Sequence, residues 1–137
     1  MPEQRPDRTL GGPHDEFWAW CAEGELRLQC CARCGEIAWP VVEACETCGG
    51  EDFAWSPMSG RGKIASWCAF ERDYYAGVLP IPWNVIVVEL EEGPLFLSNP
   101  KGFGWTEAKV GMPVSLDFVD CEDSAGTYRL PVFQRAG

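Results

Sequence analysis

Two Cys-x-x-Cys pairs constrain this chain more than any other feature of its sequence. The pairs are Cys31-Ala-Arg-Cys34 and Cys45-Glu-Thr-Cys48; ten residues separate them, and a glycine follows each pair. Two sulfurs three positions apart can reach one ion from a tight turn, and two such turns supply the four thiolates that Zn²⁺ prefers. The sequence therefore predicts a zinc ribbon with these four cysteines as ligands.

Other interpretations of the cysteines lead to different expectations. Eight cysteines could form disulfides, but residues 1–13 are polar and rich in Pro and Gly, without the apolar segment of a secretory signal. Iron in a rubredoxin-like site would use the same four sulfurs, and the spacing leaves that alternative open. A catalytic metal is disfavoured because four thiolates close the coordination shell and His14, the only histidine, lies outside it. We expect a structural or docking ribbon, with Cys30 as an alternate or buried thiol.

Length and charge narrow the classes of protein further. A chain of 137 residues forms one domain or two small units that share a core. With 46% hydrophobic residues but no apolar stretch long enough to span a membrane, we expect a folded cytoplasmic protein without a membrane partner. The net charge is -10, and neither half of the chain is basic. Because a reader of phosphate backbones needs clustered Lys and Arg, nucleic acid is not expected as a partner.

The start of the chain is predicted to be an arm followed by a helix. Residues 1–14 are polar and rich in Pro and Gly, which predicts a flexible arm without an anchor. The helix spans residues 15–22, with Asp15 as its N-cap and Glu23-Gly24 after its end. Its aromatic residues cover more than one face, so Trp18 or Trp20 either packs on the core or faces a partner.

The rest of the chain is predicted to be β-structure. Residues 15–58 comprise the helix and the ribbon, with ribbon strands at 25–29 and 39–42, and residues 59–137 form a second unit. Its five predicted strands span residues 64–70, 83–90, 95–98, 114–120 and 128–134. The nearly continuous apolar run at 64–70 predicts a strand covered on both faces. Five short strands with no helix after residue 23 favour a five-stranded OB-fold barrel, so the fold class is mainly β: an N-terminal helix, a rubredoxin-like zinc ribbon and an OB-fold.

A series of short motifs in a fixed order resembles a known family. It covers residues 15–135 and runs Phe17-Trp18, Gly24-Glu25-Leu26-Arg27-Leu28-Gln29, Cys31-x-x-Cys34-Gly35, Cys45-x-x-Cys48-Gly49, Ser59-Gly60-Arg61-Gly62-Lys63-Ile64, Val87-Val88-Glu89-Leu90-x-x-Gly93-Pro94, Gly111-Met112-Pro113-Val114 and Pro131-Val132-Phe133. The series resembles the zinc-ribbon plus OB-fold family known as domain of unknown function 35. The chain departs from the family pattern at Glu46, where a proline often follows the third cysteine, and by its extra Cys30. Neither departure removes a ligand.

The resemblance implies a function in a protein complex. Members of the family are accessory subunits that sit beside thiolases, related ketoacyl enzymes or acyl-CoA-modifying enzymes of lipid metabolism, and some are fused to hydratase-like domains. By this resemblance the chain is a partner-binding subunit, and the acyl-CoA chemistry belongs largely to the other chain.

The residues themselves show no evident catalytic constellation. His14 lies in or near the arm, and Cys21, Cys68 and Cys121 have no adjacent basic residue to activate them, so we do not expect an enzyme in the isolated chain. A site for acyl-CoA would need cations for the phosphates and an apolar groove. The candidates are the cations Arg61, Lys63, Arg72, Lys101 and Lys109 and the aromatic residues Trp67, Tyr74, Tyr75, Trp83 and Phe103. A solvated face or barrel packing explains each of them as well.

Two loops are unusually apolar. The loop at residues 73–82 carries Tyr74, Tyr75 and Leu79, followed by two prolines, and the loop at residues 99–105 carries Phe103 and Trp105. Because solvated loops are normally polar, these residues are predicted to form a partner surface at one end of the barrel.

Three hypotheses of function follow. The first is a noncatalytic subunit of a thiolase-like or retro-aldolase acyl-CoA enzyme. The second is a stand-alone acyl-CoA-binding module, for which the isolated chain would bind the ligand. The third is an OB-fold that binds single-stranded nucleic acid, which would show affinity that falls steeply with salt.

Overall fold

The computed structural model describes residues 2–75 and 77–136. Within these residues it contains one helix, α1 (Pro13–Ala22), and ten strands. The strands are β1 (Glu3–Gln4), β2 (Arg27–Cys31), β3 (Ile37–Ala38), β4 (Phe53–Pro57), β5 (Arg61–Phe70), β6 (Trp83–Leu90), β7 (Leu95–Ser98), β8 (Pro100–Lys101), β9 (Pro113–Asp123) and β10 (Gly126–Arg135). The predicted mainly β fold with an N-terminal helix is confirmed.

The strands form two sheets. A three-stranded sheet of order β3-β2-β4 carries the ribbon, and a seven-stranded sheet of order β7-β6-β5-β9-β10-β8, with β1 added to β9, forms the second unit. Strand pairs in the larger sheet are antiparallel except β8 with β10 and β1 with β9. At Asn99 the chain passes from β7, which pairs with β6, to β8, which pairs with β10. The described strands thus form a sheet that does not close by strand pairing, so the predicted barrel is an open one. The chain itself joins the two ends of the sheet at Asn99, and we call this sheet the barrel.

One hydrophobic core joins the helix, the ribbon and the larger sheet. The helix contributes Phe17 and Cys21, and the start of the ribbon contributes Leu26 and Leu28. They cluster with buried residues of the larger sheet, among them Ile64, Ile86, Val88, Leu90, Phe96, Val114 and Phe133. Each large apolar side chain buried in this way stabilises the fold by about 1.5–3 kcal/mol. The ribbon is therefore part of the structure that supports the barrel.

The helix begins earlier than predicted, at Pro13, and Asp15 is not its N-cap. Gly12 occupies that position with a φ of 55°, and the proline that follows fits the first helical turn because it has no N–H to leave unpaired. Asp15 lies inside the first turn, where its carboxylate accepts a hydrogen bond of 2.9 Å from the backbone N–H of Gly11.

The prediction of an unanchored arm is wrong. Strand β1 pairs in parallel with the end of β9, Glu3 opposite Cys121. Further along, Arg8 Nε lies 2.7 Å from an oxygen of Asp123, and both side chains are largely buried. The Arg8 guanidinium also lies 4.0 Å from the ring centre of Tyr128. Because Arg8 and its partners are far apart in sequence, no local pattern reports these contacts.

The predicted ribbon strand at residues 39–42 is also wrong, since the strand between the two cysteine pairs is the shorter and earlier β3, which pairs with β2. The chain beyond β3 is held by a side chain instead. Gln29, which is buried, accepts a hydrogen bond of 2.9 Å from Val42 N–H and donates one of 2.8 Å to Val42 O. A single glutamine thus replaces the strand ladder at this point.

Strand β5 is longer than predicted and is not covered on both faces. Ile64 is 1% exposed, whereas Trp67 is 40% and Phe70 43% exposed. The sheet also narrows along this part of β5, because β9 pairs with β5 only at Arg61–Lys63. The second half of β5 projects beyond that pairing with β6 as its only partner strand.

Candidate metal centre and partner surface

The structure brings the four predicted thiols together. All four sulfur atoms of Cys31, Cys34, Cys45 and Cys48 lie within 4.8 Å of one another. The Cys31–Cys48 sulfurs are 3.5 Å apart and the Cys34–Cys45 sulfurs 3.6 Å apart. Since Zn–S bonds are about 2.3 Å, a tetrahedral thiolate set has sulfur–sulfur distances of about 3.8 Å. The cluster therefore has the ligand type, number and spacing for a tetrahedral metal ion.

Two similar turns present these sulfurs. In the first turn Gly35 N–H donates a 2.8 Å hydrogen bond to Cys31 O, and in the second Gly49 N–H donates one of 2.8 Å to Cys45 O. Both glycines have a positive φ, near 80°, as the turn requires. At Gly50 a Cβ atom would lie 3.3 Å and 3.4 Å from the sulfurs of Cys48 and Cys31. The backbone thus approaches the cluster as closely as glycine permits.

The turns also favour the thiolate form of two ligands. Backbone N–H groups of Cys34 and Arg33 donate to the Cys31 sulfur and lower its pKa to about 7. The backbone N–H groups of Cys48 and Thr47 donate to the Cys45 sulfur and lower its pKa in the same way. A metal ion binds thiolates, so these amides prepare the site for it.

The remaining thiols lie outside the cluster. Cys30 was predicted to be an alternate or buried thiol; it is half-buried, and its sulfur lies 3.6 Å from Gly35 O. Burial raises the pKa of Cys21 to about 12 and also raises that of Cys121. Neither of these two buried thiols is a thiolate at neutral pH, and Cys68 is exposed on β5.

An apolar cleft of about 260 Å³ opens where β5 ends and β6 begins. It is lined by Phe70, Arg72, Asp73, Tyr74, Tyr75, Leu79, Ile81, Trp83 and Val85. Two hydrogen bonds lie within the described part of the loop that forms it: Tyr75 N–H donates to Asp73 Oδ1, and Val78 N–H donates to Tyr75 O. Phe70 and Trp83 are opposite each other in the β5–β6 register. Antiparallel pairing of the two predicted strands 64–70 and 83–90 could have identified Phe70, which the sequence prediction left out.

Exposed apolar side chains gather where β5 ends and β6 begins, and they define what we call the aromatic patch. Phe70, Tyr74 and Tyr75 line the cleft, whereas Trp67, three residues before Phe70, lies on the other face of β5. Its members are Trp67, Phe70, Tyr74, Tyr75, Val78, Ile81 and Trp105, all at least 40% exposed. The rings of Trp67 and Trp105 lie 6.4 Å apart, and Trp105 N–H donates to the Asn84 side chain at the start of β6. The two predicted loops therefore lie at the same end of the barrel.

Four of the residues predicted to bind a partner or acyl-CoA are buried or half-buried and do not belong to the aromatic patch. Leu79 and Phe103 are each 8% exposed. Trp83 is half-buried under the Arg5 guanidinium, at 4.5 Å from its ring centre. Trp18 is half-buried, with its ring 5.0 Å from that of Phe17 and against Tyr128. Of these four residues, Leu79 and Trp83 line the apolar cleft.

The predicted cations do not converge on one site. Arg61 lies 2.7 Å from Glu91, and Lys63 lies 3.8 Å from Glu89, on a shallow groove of the barrel. Lys101 pairs with Asp117, and this lowers the pKa of the carboxyl. Of the predicted cations, Arg72 lines the apolar cleft.

No helix among the described residues is long and apolar enough to cross a membrane.

Comparisons with known proteins decide the family. Residues 18–54 match the ChsH2 rubredoxin-like zinc ribbon domain, and residues 55–119 match the ChsH2 C-terminal OB-fold domain. The chain is 31% identical to the benzoylsuccinyl-CoA thiolase subunit BbsA of Thauera aromatica, over 68% of this chain and 71% of that protein. This chain belongs to the ChsH2 (DUF35) family. The predicted resemblance, zinc ribbon and OB-fold are thereby confirmed, whereas the exact unit boundaries at residues 14/15 and 58/59 stay predictions.

Two further relatives differ in how much of their length this chain covers. The chain is 29% identical to the probable enoyl-CoA hydratase alpha subunit of Thermomonospora curvata, over 98% of this chain but only 42% of that protein. The chain thus spans less than half of that relative. A solved structure of the Ltp2-ChsH2(DUF35) aldolase superposes with a TM-score of 0.82 at 27% identity, over 96% of this chain and 100% of that one.

Proposed function

We propose that this chain is a noncatalytic zinc-binding OB-fold subunit that associates with a thiolase-like or retro-aldolase acyl-CoA enzyme. It supports that enzyme's assembly or its handling of acyl-CoA. The names of the relatives support the partner class, since one is a thiolase subunit and another belongs to an aldolase with a second component. A cytoplasmic location, where thiols are kept reduced, is part of the proposal.

The observation that carries the proposal is the aromatic patch. Its exposed rings and branched side chains lie together at one end of the barrel, and Tyr74 and Tyr75 are 65% and 52% exposed. Exposed apolar surface of this kind marks a binding surface in a protein that is otherwise strongly acidic. Aromatic anchors contribute most of the binding energy of protein interfaces, because they bury large area at low cost in entropy.

The metal in this proposal is structural zinc, held by Cys31, Cys34, Cys45 and Cys48. Four thiolates complete a tetrahedral shell and leave no position for a substrate. When bound, the ion crosslinks the two turns of the ribbon. Leu26 and Leu28 of the ribbon pack in one core with the barrel, and this packing holds the ribbon against the barrel.

A stand-alone acyl-CoA-binding module is the second candidate. The apolar cleft favours it, because a cation, Arg72, lines it beside the aromatic rings. Its volume of about 260 Å³ is below the roughly 300–1,000 Å³ of common ligand pockets. Moreover, Arg61, Lys63 and Lys101 each have a carboxylate partner elsewhere on the surface. The partner subunit is the better supported function.

Co-purification tests the proposal. The tagged full chain is isolated from its source cells, and bound proteins are identified by mass spectrometry. We expect a thiolase-like or aldolase acyl-CoA enzyme in stoichiometric amount, and we expect that Tyr75→Asp loses it while Leu10→Asp retains it. Leu10 is also exposed, at 45%, but lies on the arm. Recovery of the same proteins by both variants, or of no acyl-CoA enzyme by the wild type, contradicts the proposal.

A turnover assay tests the noncatalytic part. The zinc-loaded chain, free of the co-purifying enzyme, should neither cleave nor condense acyl-CoA thioesters, since the buried thiols Cys21 and Cys121 are protonated at neutral pH. Turnover that follows the chain through successive purification steps would show that it is an enzyme by itself.

A further inference from the structure

The second half of β5 has an open edge. The strand pairs with β6 as far as Phe70, opposite Trp83, but with β9 only at Arg61–Lys63. Ile64 then bonds through its N–H and C=O to the turn before β9. After Ile64, and within residues 2–75 and 77–136, no main-chain hydrogen bond joins β5 to a neighbour on that side.

An open edge of this kind has a defined chemistry. Alternate residues of an antiparallel strand direct their N–H and C=O groups away from the existing partner. Residues 66–70 therefore present unpaired donors and acceptors over roughly 17 Å, at about 3.4 Å per residue. The sequence Ser66-Trp67-Cys68-Ala69-Phe70 contains no Lys, Pro or charged residue that would protect the edge. A register shift in the pairing with β6, the mark of a β-bulge, lies just before it, between Ile64 and Ser66, and the pairing is regular from Ser66 to Phe70. Three of these side chains besides Phe70 are exposed.

The edge leads directly into the aromatic patch. Phe70 is the last residue of the edge and lines the apolar cleft, and Trp67 at its middle lies beside Trp105. Strand β7 also has a free edge, but it has only four residues, and its Phe96 is buried against Trp39. The β5 edge therefore offers main-chain groups and side-chain contacts together.

We propose that an extended segment of the acyl-CoA partner enzyme adds to the β5 edge as a further antiparallel or parallel strand. This inference rests on the function proposed above and states how the partner is held. Main-chain hydrogen bonds to residues 66–70 give the attachment, and an apolar side chain of the added strand enters the cleft beside Phe70.

A second copy of this chain is a poorer occupant of the same edge. Pairing two β5 edges would bring together two chains that each carry a net charge of -10. Such like charge opposes self-association of this chain through the edge.

Residue-resolved amide hydrogen exchange tests the inference on the complex recovered with the acyl-CoA enzyme. In the free chain the outward amides among residues 66–70 should exchange rapidly, and in the complex they should slow by at least about tenfold. A complex in which these amides exchange as fast as in the free chain overturns the added strand, while the proposed function stands. Slow exchange in the free chain that depends on its concentration assigns the edge to a second copy and also overturns it. Failure to recover any acyl-CoA enzyme overturns both proposals.

A pair of matched lysine variants gives a second readout. Cys68 and Leu97 are both exposed, and they lie opposite Val85 and Val87 on the central strand β6. Cys68→Lys places a charge on the proposed edge, whereas Leu97→Lys places the same charge on β7. We expect the first to weaken binding of the enzyme by at least about tenfold and the second to change it less than about twofold. Equal effects of both variants contradict the assignment to β5. Circular dichroism and zinc content confirm that both variants are folded.

Discussion

At Gly50 the backbone passes so close to the sulfurs of Cys31 and Cys48 that a side chain has little room. The four metal ligands could be predicted from the spacing of the cysteines, because ligand turns are local structures. The need for glycine at position 50 could not be predicted in this way, because it depends on how the second turn packs against the first. The backbone at Gly50 thus lies close to one sulfur from each Cys-x-x-Cys pair.

We expect Gly50→Ala to bind zinc more weakly and to lower the free energy of unfolding of the zinc-loaded protein by about 1 kcal/mol or more. The added Cβ would stand 3.3 Å from the Cys48 sulfur, so the turn must shift. Gly104→Ala is the matched control, since its nearest neighbour would lie at 3.9 Å. Competition with a chromophoric chelator measures the affinity. Equal zinc affinities of the two variants would show that the turn adjusts without cost.

A second single residue on which a prediction can be based is Asp123, which forms an ion pair with Arg8. Hydrogen bonds from that arginine lower the pKa of the carboxyl to about 2, below the value of about 3.9 in an unfolded chain. A depressed pKa means that the carboxylate stabilises the fold above about pH 4 and that this contribution is lost as the pH falls toward 2.

We therefore expect wild type to exceed Asp123→Asn in free energy of unfolding by a constant amount above about pH 5. The difference should shrink between about pH 4 and pH 2. Urea unfolding at a series of pH values measures it, and the comparison cancels the loss of metal that both proteins share in acid. A difference that does not vary with pH would assign the role of Asp123 to its shape rather than its charge.

At the scale of elements, strands were predictable and their surroundings were not. Strands β6 and β7 begin and end where the pattern predicts, since apolar runs between turn residues define them. The apolar run of β5 predicted a strand buried on both faces, whereas Trp67 and Phe70 of that strand are exposed. Burial of a face depends on packing with elements that are distant in sequence. The arm was missed for the same reason, since β1 pairs with residues more than 100 positions away.

The ribbon and the barrel share their core, so removal of zinc should affect both. Leu26 and Leu28 belong to the same buried cluster as Phe133 of β10. We expect chelation of zinc, or Cys45→Ser, to lower the melting temperature of the whole chain and to increase amide exchange in β10 as well as in β2. Metal analysis should find about one zinc per native chain. Unchanged exchange in β10 after zinc loss would show that the two units are energetically independent.

For the whole molecule, an acidic surface and an apolar end occur in one chain. The net charge of -10 is distributed over both halves, while Trp67, Tyr74, Tyr75 and Trp105 gather at the β5–β6 end. The net charge could be predicted from the composition, and the two loops could be recognised as apolar from the sequence. The sequence could not show which loop residues are exposed, because Leu79 and Phe103 are buried in the same loops.

The central claim is that the aromatic patch holds the acyl-CoA enzyme, and titration calorimetry with the purified enzyme tests it most directly. We predict that Tyr75→Asp weakens binding by at least ~2 kcal/mol, about thirtyfold, as expected for an interface anchor. Leu10→Asp, equally charged and exposed on the arm, should bind as wild type does, and both should retain zinc. Wild-type affinity of the Tyr75→Asp variant in its folded, zinc-loaded form would contradict the account and place the interface elsewhere.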